Sequence, residues 1–219
     1  RAGRVAPGAA YRLWTQGEEG GLRPFPPPEI EAADLSGLAL DIALWGADAA
    51  QMPFLTPPPE GAYAEARALL QMLGALDPRD GRITAHGRRL AALPLHPRLA
   101  HMLQIAGPDA ADLAAVLSDR DPLTGGGTDL TLRLAALRDP KGFAARRSER
   151  INPSALERIR TEARRLRQDT KSFSQPTDRK SSLGPAEMAA LAYPDRIGLR
   201  RTGTAARYRL SGGKGAIMD

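Results

Sequence analysis

Apolar residues recur every three or four positions along much of the chain, a spacing typical of helices with one buried face. The first such face consists of Leu35, Leu38, Ile42 and Trp45. The second, within a helix predicted over residues 60–73, consists of Ala66, Leu69, Leu70 and Leu73. Gly46 and Gly74 follow these helices, and glycine is well suited to the left-handed conformation that ends a helix. The pattern therefore predicts two amphipathic helices with defined ends.

A turn and a short strand are predicted after the second helix. Asp77-Pro78 and Asp80-Gly81 are typical turn sequences, and residues 82–84 alternate as a short strand does. Thr84 is then predicted to be the N-cap of a third helix, which reaches Leu93. Two helices, a hairpin-like turn and a third helix are the element order of a winged helix, so we predict that fold for this part of the chain.

Beyond Pro97 the helical periodicity continues and predicts a small bundle. We expect its helices near residues 98–106, 109–119, 128–138, 143–150 and 154–169. The apolar stripe of the last helix consists of Leu156, Ile159, Ala163 and Leu166. Arginines cover most of the remaining surface of that helix. We therefore expect one side of it to enter the bundle and the other to be strongly basic.

Alternating positions predict strands near both ends of the chain. Residues 10–15 alternate, and the glycine- and proline-rich sequence from Gly17 to Pro28 predicts an extended connection after them. Residues 196–201 and 206–211 alternate around a Thr-Gly-Thr turn, which predicts a β-hairpin. A short helix is expected over residues 186–193.

Residues 172–184 separate the bundle from this helix and hairpin. They are rich in Ser, Thr, Pro and Lys, a composition that favours a mobile linker. A hairpin by itself does not hold a fold in water. We therefore expect the hairpin to be the start of a larger β domain, with the chain ending inside that domain.

The composition is that of an ordinary soluble protein, with 42% hydrophobic and 26% charged residues. No apolar run approaches the roughly 20 residues of a membrane span, and no signal peptide is evident. Cysteine is absent, which excludes disulfides and suits a reducing compartment, so a cytoplasmic location is expected. His86, His96 and His101 follow no metal-ligand spacing, so we predict no metal site and assign them packing or surface roles.

The positive charge of the chain is concentrated in one block. The formal net charge is +6, and residues 133–171 hold 12 Lys/Arg and 5 Asp/Glu, a balance of +7. Such a block favours a surface that contacts phosphate, although a merely solvated helix face is the alternative. Phe143 is its one aromatic residue, which favours sequence-independent contact over base readout. From charge alone, the candidate contacts are Arg146, Arg147, Arg164 and Arg165.

The first residues, Arg1-Ala2-Gly3-Arg4, resemble the end of the motif Q-R-x-G-R-x-G-R of superfamily 2 helicases. The last two arginines of that motif reach the ATP γ-phosphate. Further strings resemble the DEAH-box helicases and occur in the same order as in that family. They are Pro7-Gly8, Tyr11 to Trp14, Pro28 to Ile30, Phe54 to Pro58, Leu73 to Asp77, Thr84, Gly87-Arg88 and Leu93 to Leu99.

A second set of strings is similar to one branch of that family, the bacterial ATP-dependent helicases of the HrpB type. These strings are Asp34 to Leu38, Trp45-Gly46, Tyr193 to Ile197, Tyr208 to Leu210 and Gly212 to Ala216. The resemblance covers nearly the whole chain, is strongest up to Leu99 and is weaker over residues 100–170. It identifies the chain as a C-terminal fragment of such a helicase that starts inside the arginine motif.

The resemblance implies a mainly α chain with a modular layout. Its parts are the tail of a RecA-like α/β lobe (residues 1–28), a winged helix (29–98), a helical-bundle ratchet domain (99–171), a linker (172–184) and the start of a C-terminal OB-like β domain (185–219). The full-length protein would be an ATP-dependent helicase that translocates along and unwinds RNA. The implied partners are single-stranded RNA and the upstream RecA-like lobes of the same chain, and no membrane.

The resemblance assigns catalytic roles to two residues. Arg4 is expected to be the arginine finger, which stabilises charge on the γ-phosphoryl oxygens, and Arg1 is expected to contact the same phosphate. ATP and Mg²⁺ would be bound mostly by upstream residues. The nearest string to a G-x-x-x-x-G-K-[ST] phosphate loop is Ser211 to Gly215, but position 208 is Tyr and Gly215 replaces the required hydroxyl. We therefore expect the chain alone to be inactive.

Two other functions remain open from the residues themselves. A non-enzymatic winged-helix module that binds nucleic acid would account for residues 35–98 and for the basic block, although not for the Arg1–Arg4 segment. A helical protein-interaction scaffold would also account for the arginines, as solvated side chains.

Overall fold

The computed structural model describes residues 7–9, 11–22, 25–125, 127–173, 183–203 and 206–217. Arg1 and Arg4 lie outside these residues, as does most of the linker predicted over residues 172–184. The helices of the described residues are α1 (Gln16–Gly21), α2 (Glu29–Ala32), α3 (Ser36–Trp45), α4 (Glu60–Met72), α5 (Ala85–Ala91), α6 (Pro97–Ala106), α7 (Ala111–Ser118), α8 (Leu130–Arg138), α9 (Pro140–Arg146), α10 (Pro153–Phe173) and α11 (Pro185–Ala192). The chain is therefore mainly α, as predicted.

Two small antiparallel sheets accompany the helices in the described residues. The first pairs β1 (Leu123–Thr124) with β2 (Arg150–Ile151), and the second has the strand order β3 (Gly198–Arg200), β4 (Arg207–Leu210) and β5 (Gly215–Ile217). Leu199 of β3 lies opposite Arg209 of β4, so the predicted hairpin is confirmed. The sequence pattern did not predict β5.

The first two amphipathic helices are confirmed, and glycine ends both of them. Gly46 follows α3 with φ 72°, and Gly74 follows the C-cap of α4 with φ 68°. The whole predicted face of α4 is buried. The prediction that Trp45 is buried is wrong, since this side chain is 68% exposed. Trp45 is the last residue of α3, and instead of entering the core it lines an open pocket.

The third helix of the winged helix begins as predicted. The Thr84 hydroxyl accepts the backbone N–H of Gly87 at 2.9 Å and donates to the Gly74 carbonyl at 2.7 Å. Gly87 sits so close to the Ala75 carbonyl that an added Cβ would lie 2.2 Å from that oxygen. The strand predicted over residues 82–84 is reduced to one bridge, between Leu76 and Ile83.

The helices after the winged helix share its hydrophobic core. Leu70 and Leu90 belong to the same cluster of buried residues as Leu103, Leu113 and the stripe of α10. That stripe is buried as predicted, and α10 packs chiefly against α7. α11 packs against α6. The winged helix, the bundle and α11 are therefore joined by a continuous apolar interior.

The helix predicted over residues 143–150 is placed wrongly. It begins earlier, at Pro140, because the Asp139 side chain caps it by accepting the Gly142 N–H at 2.9 Å. It ends at Arg146, and Arg150 then enters β2. Phe143 is buried against a small second cluster with Leu123 and Ala136.

The strand predicted over residues 10–15 is also wrong where the structure describes this segment. Residues 11–15 form no strand, and Thr15 instead caps α1 through a reciprocal capping box with Glu18. Tyr11 and Leu13 are 87% and 94% exposed. A strand needs a neighbouring strand to pair with, and none lies beside this segment in the described residues. The extended connection predicted from Gly17 is replaced at its start by α1.

Candidate nucleic-acid interface

A basic groove lies between the C-terminal end of α8 and the exposed side of α10. Its volume is about 370 Å³. Its charged lining consists of Arg138, Arg160, Arg164, Arg167, Asp112 and Glu157. Four guanidinium groups therefore face two carboxylates. The groove has an excess of two positive charges, which favours an anionic ligand.

The arginines of the groove differ in what they bond to. Arg160 donates from Nε and Nη2 to the Leu137 carbonyl at 3.2 and 2.9 Å, so its positive charge is held in place without being neutralised. Arg167 pairs with Asp112 from α7, and Arg164 pairs with Glu157 at 3.2 Å. The Arg164–Glu157 pair is exposed, and a surface pair of this kind is worth about 0–1 kcal/mol, so a phosphate can displace it at little cost.

The four predicted contact residues lie in different environments. Arg164 lines the groove. Arg165, its neighbour, does not line it, and is paired with Glu162 and with Asp169 at 3.0 Å. The side-chain hydrogen bonds that Arg165 donates to Glu162 raise the pKa of Arg165 despite some desolvation.

The other two predicted residues lie at the end of α9. Arg146 is exposed and pairs with Asp139 at 3.3 Å. Arg147 is exposed and follows the helix as its C-cap. Neither of them lines the groove. The structure therefore brings one of the four predicted arginines to this surface and leaves the other three elsewhere.

Charge alone did not identify Arg138, Arg160 and Arg167. A signal was present for two of them, since Arg160, Arg164 and Arg167 follow the spacing of four and three residues that places side chains on one helical face. Nothing local in the sequence places Arg138 beside them. Not every basic residue of the block belongs to the surface, because Arg133 is buried and bonds to Asp121.

A serine, a histidine and an aspartate meet at the start of α3, but not as a hydrolytic triad. His96 Nδ1 accepts the Arg98 backbone N–H at 3.3 Å, so its proton is on Nε2, which lies 3.0 Å from Ser36 Oγ. Ser36 in turn donates to Asp34. In a triad the Nε2 atom accepts the serine proton and the acid bonds to Nδ1. The contacts here cap and fasten helices.

The string that resembles a phosphate loop has a different conformation. Residues 211–214 connect β4 to β5, and Lys214 lies 3.8 Å from Glu65 of α4. A phosphate loop leads from a strand into a helix, whose first N–H groups hold the anion. This turn leads from one strand into another and offers no such group of donors.

Two features are absent from the part of the chain that the structure describes. None of the helices there combines the length and the apolar character that crossing a bilayer requires. No group of three or more His, Cys, Asp or Glu side chains comes together there in a way that could hold a metal ion.

Known proteins resemble the chain over its full length. The winged-helix helicase-associated domain (HA2) matches residues 66–95. The ATP-dependent RNA helicase HrpB of Escherichia coli K12 is 36% identical over 225 aligned residues, which cover 100% of this chain and 25% of the relative. A crystal structure of the E. coli DEAH/RHA helicase HrpB superimposes with a TM-score of 0.67 at 33% identity, over 99% of this chain and 25% of that one.

The chain belongs to the HrpB-type DEAH-box helicases. A relative that matches a shorter part of the chain is the human probable ATP-dependent RNA helicase DHX37, which is 39% identical over 121 residues, 48% of this chain and 10% of the relative. The chain spans about a quarter of the length of the HrpB relatives. The HA2 match over residues 66–95 falls within the part of the chain for which the sequence pattern predicted a winged helix.

Two strings that resemble the HrpB type and its parent family touch each other in the fold. Arg98 belongs to the string Leu93 to Leu99, and Asp195 belongs to the string Tyr193 to Ile197. The Arg98 guanidinium donates to both carboxylate oxygens of Asp195. In this HrpB-type chain, part of the sequence likeness therefore specifies how the segment after α11 docks onto α6.

Proposed function

We propose that the chain is the C-terminal part of an ATP-dependent RNA helicase of the cytoplasm, and that its helical bundle holds single-stranded RNA during translocation. ATP and Mg²⁺ bind mostly to RecA-like lobes that precede it, and Arg4 and Arg1 complete that site as finger and γ-phosphate contact. The similarity to HrpB over the whole of this chain carries this proposal. The catalytic centre itself is not built from the residues that the structure describes.

The proposed helicase domains follow one another along the chain. Residues 1–28 end the second RecA-like lobe, 29–98 are the winged helix, 99–171 are the ratchet domain, 172–184 are a linker, and 185–219 begin a β domain. The continuous core between the winged helix and the bundle supports a rigid unit that transmits lobe movement to bound RNA.

The groove between α8 and α10 is the proposed RNA contact within the ratchet domain. Guanidinium groups bind phosphate in a planar, two-point geometry. Arg160, Arg164 and Arg167 lie at one-turn intervals along one helix and Arg138 faces them from α8. The described lining contains no aromatic residue, which suits contact with the backbone rather than with bases.

Salt-dependent binding of single-stranded RNA to the 219-residue chain tests this contact. Each phosphate that a single strand places on a cation contributes about −0.7 to the slope of log K against log salt concentration. Arg164→Ala is expected to weaken binding and to make the slope shallower by about 0.7. Arg165→Ala is the matched control, because Arg165 does not line the groove and is paired with two carboxylates, Glu162 and Asp169. Equal effects from both variants would contradict the groove assignment.

The catalytic assignment is tested in the longer protein with its upstream lobes. Arg4→Ala is expected to reduce RNA-stimulated ATP hydrolysis by about 10³- to 10⁵-fold, the usual worth of an arginine finger. Arg12→Ala serves as the control, since this exposed arginine pairs with Glu19. Normal turnover in the Arg4 variant would defeat the finger assignment and leave the RNA groove untouched. The 219-residue chain alone is expected to hydrolyse no ATP.

A further inference from the structure

A second pocket opens on the winged helix, on elements different from those of the α8–α10 groove. It has a volume of about 750 Å³ and lies between the end of α3, the exposed side of α4 and the turn before α5. The side chains that matter here are Trp45, Tyr63, Arg67, Arg82 and Arg88. Trp45 is 68% exposed, which is unusual for the largest apolar side chain and marks an interaction surface rather than a core position.

The turn before α5 is shaped around one of these arginines. Gly81 has φ 70°, and a Cβ added there would lie 2.2 Å from Arg67 Nη2. The same Nη2 atom lies 3.5 Å from the Gly81 carbonyl. The absence of a side chain at position 81 therefore lets the Arg67 guanidinium occupy the floor of the pocket.

One residue that lines the pocket carries a hydroxyl that is unpaired within the described part of the chain. Tyr63 lines the pocket, and the Tyr63 hydroxyl is buried without a hydrogen-bond partner among the described residues. Buried polar atoms are nearly always bonded, so an exception calls for a missing partner. This atom is closed to solvent, so it is not itself a contact for a ligand in the open pocket; the exposed side chains of the pocket carry that role.

We propose that this pocket binds an unpaired nucleotide of single-stranded RNA, with the base stacked on Trp45 and the phosphate held by Arg82 and Arg88. The pocket contains three arginines and two aspartates, Asp48 and Asp80, so its balance is positive. Proteins that bind single-stranded nucleic acid combine aromatic side chains, on which any base can stack, with positively charged groups that contact the backbone. An exposed indole beside guanidinium groups is such a combination. The choice of RNA as the ligand rests on the proposed function, whereas the geometry and charge of the pocket do not depend on it.

The chain allows a direct optical test, because it contains two tryptophans. The other one, Trp14, lies in the exposed N-terminal segment, so Trp14→Phe leaves Trp45 as the single indole reporter. Titration of this variant with unstructured oligouridylate RNA is expected to quench Trp45 emission over the same concentrations at which the anisotropy of labelled RNA rises. Uridine monophosphate is expected to quench only at far higher nucleotide concentration.

Substitutions at the pocket measure its share of the affinity. Trp45→Leu is expected to weaken RNA binding by about 5- to 150-fold, the range for losing one base–aromatic stack, and Trp45→Phe is expected to restore most of it. Leu55→Ser, at a fully exposed apolar position outside the pocket, is the control and should bind as the parent does. Circular dichroism of each variant establishes that the fold is retained.

The outcomes separate this site from the proposed function. RNA that binds by anisotropy but neither quenches Trp45 nor responds to Trp45→Leu overturns the pocket and leaves the groove standing. Uridine monophosphate that quenches as well as RNA, nucleotide for nucleotide, makes the pocket a mononucleotide site and overturns its assignment to a strand. RNA that neither binds nor quenches overturns both proposals.

Discussion

Arg98 and Asp195 are 97 residues apart in the sequence and form a two-point ion pair in the fold. The two nitrogen–oxygen distances are 2.5 and 2.9 Å. Arg98 also donates to the Ala192 carbonyl at 3.2 Å, and its guanidinium lies 5.2 Å from the centre of the Tyr193 ring. The Arg98 side chain is 8% exposed. One buried arginine therefore fastens the end of α11 and the residues after it to α6.

Arg98→Ala is expected to destabilise the chain by about 1–3 kcal/mol, because it removes a partly buried ion pair and leaves the Asp195 carboxylate, which is 24% exposed, without its partner. Arg196→Ala is the matched control. Arg196 lies on the same Tyr193 ring at 5.0 Å but is exposed, so its loss should cost about 1 kcal/mol or less. Urea unfolding measures both. Similar losses for the two variants would show that the buried ion pair is not what holds this segment.

Gly87→Ala is expected to be strongly destabilising. The new Cβ would lie 2.2 Å from the Ala75 carbonyl oxygen and 2.8 Å from Ile83 Cγ1, and a backbone oxygen cannot move aside as a flexible side chain does. Overpacking of this kind costs about 1–3 kcal/mol. Gly61→Ala in α4 meets nothing within 4 Å and should be neutral or stabilising by up to about 1 kcal/mol. Thermal unfolding that ranks the two variants the other way would refute the close contact.

His101 is expected to make the stability of the chain depend on pH. Burial, and then the nearby charge of His86, lower the pKa of His101 from 6.5 to about 4. The two rings meet through His86 Nε2 and His101 Nδ1, 2.9 Å apart. Between about pH 6.5 and 4, His101 therefore binds a proton in the unfolded chain but not in the folded chain. The contribution of neutral His101 to the free energy of unfolding is fully present above about pH 6.5 and declines as pH falls towards about 4.

The matching measurement is the melting temperature of the parent and of His101→Gln across this pH range. Glutamine keeps a polar side chain at this position but does not titrate. The parent is expected to lose more stability than the variant as pH falls from 6.5 to 4. A difference between the two that stays constant with pH would mean that His101 does not carry the effect.

The sequence by itself determined the elements whose signals are local. Thr84 caps α5 because its hydroxyl reaches an N–H three residues later. Gly46 and Gly74 end their helices because a single residue with a positive φ ends a helix, and glycine adopts that conformation without strain. The apolar stripe of α10 is periodic along a single element. The likeness to the HrpB-type helicases could also be stated from short strings alone.

Tertiary structure alone decided the features that need a distant partner. Residues 11–15 alternate as a strand does, yet they form none where no neighbouring strand is present to accept their hydrogen bonds. Trp45 has helical spacing but ends outside the core. Arg138 joins the arginines of α10 in one groove only because α8 packs beside that helix. Helix caps and turns form over three or four residues, whereas pairing, burial and shared charge depend on which elements the fold brings together.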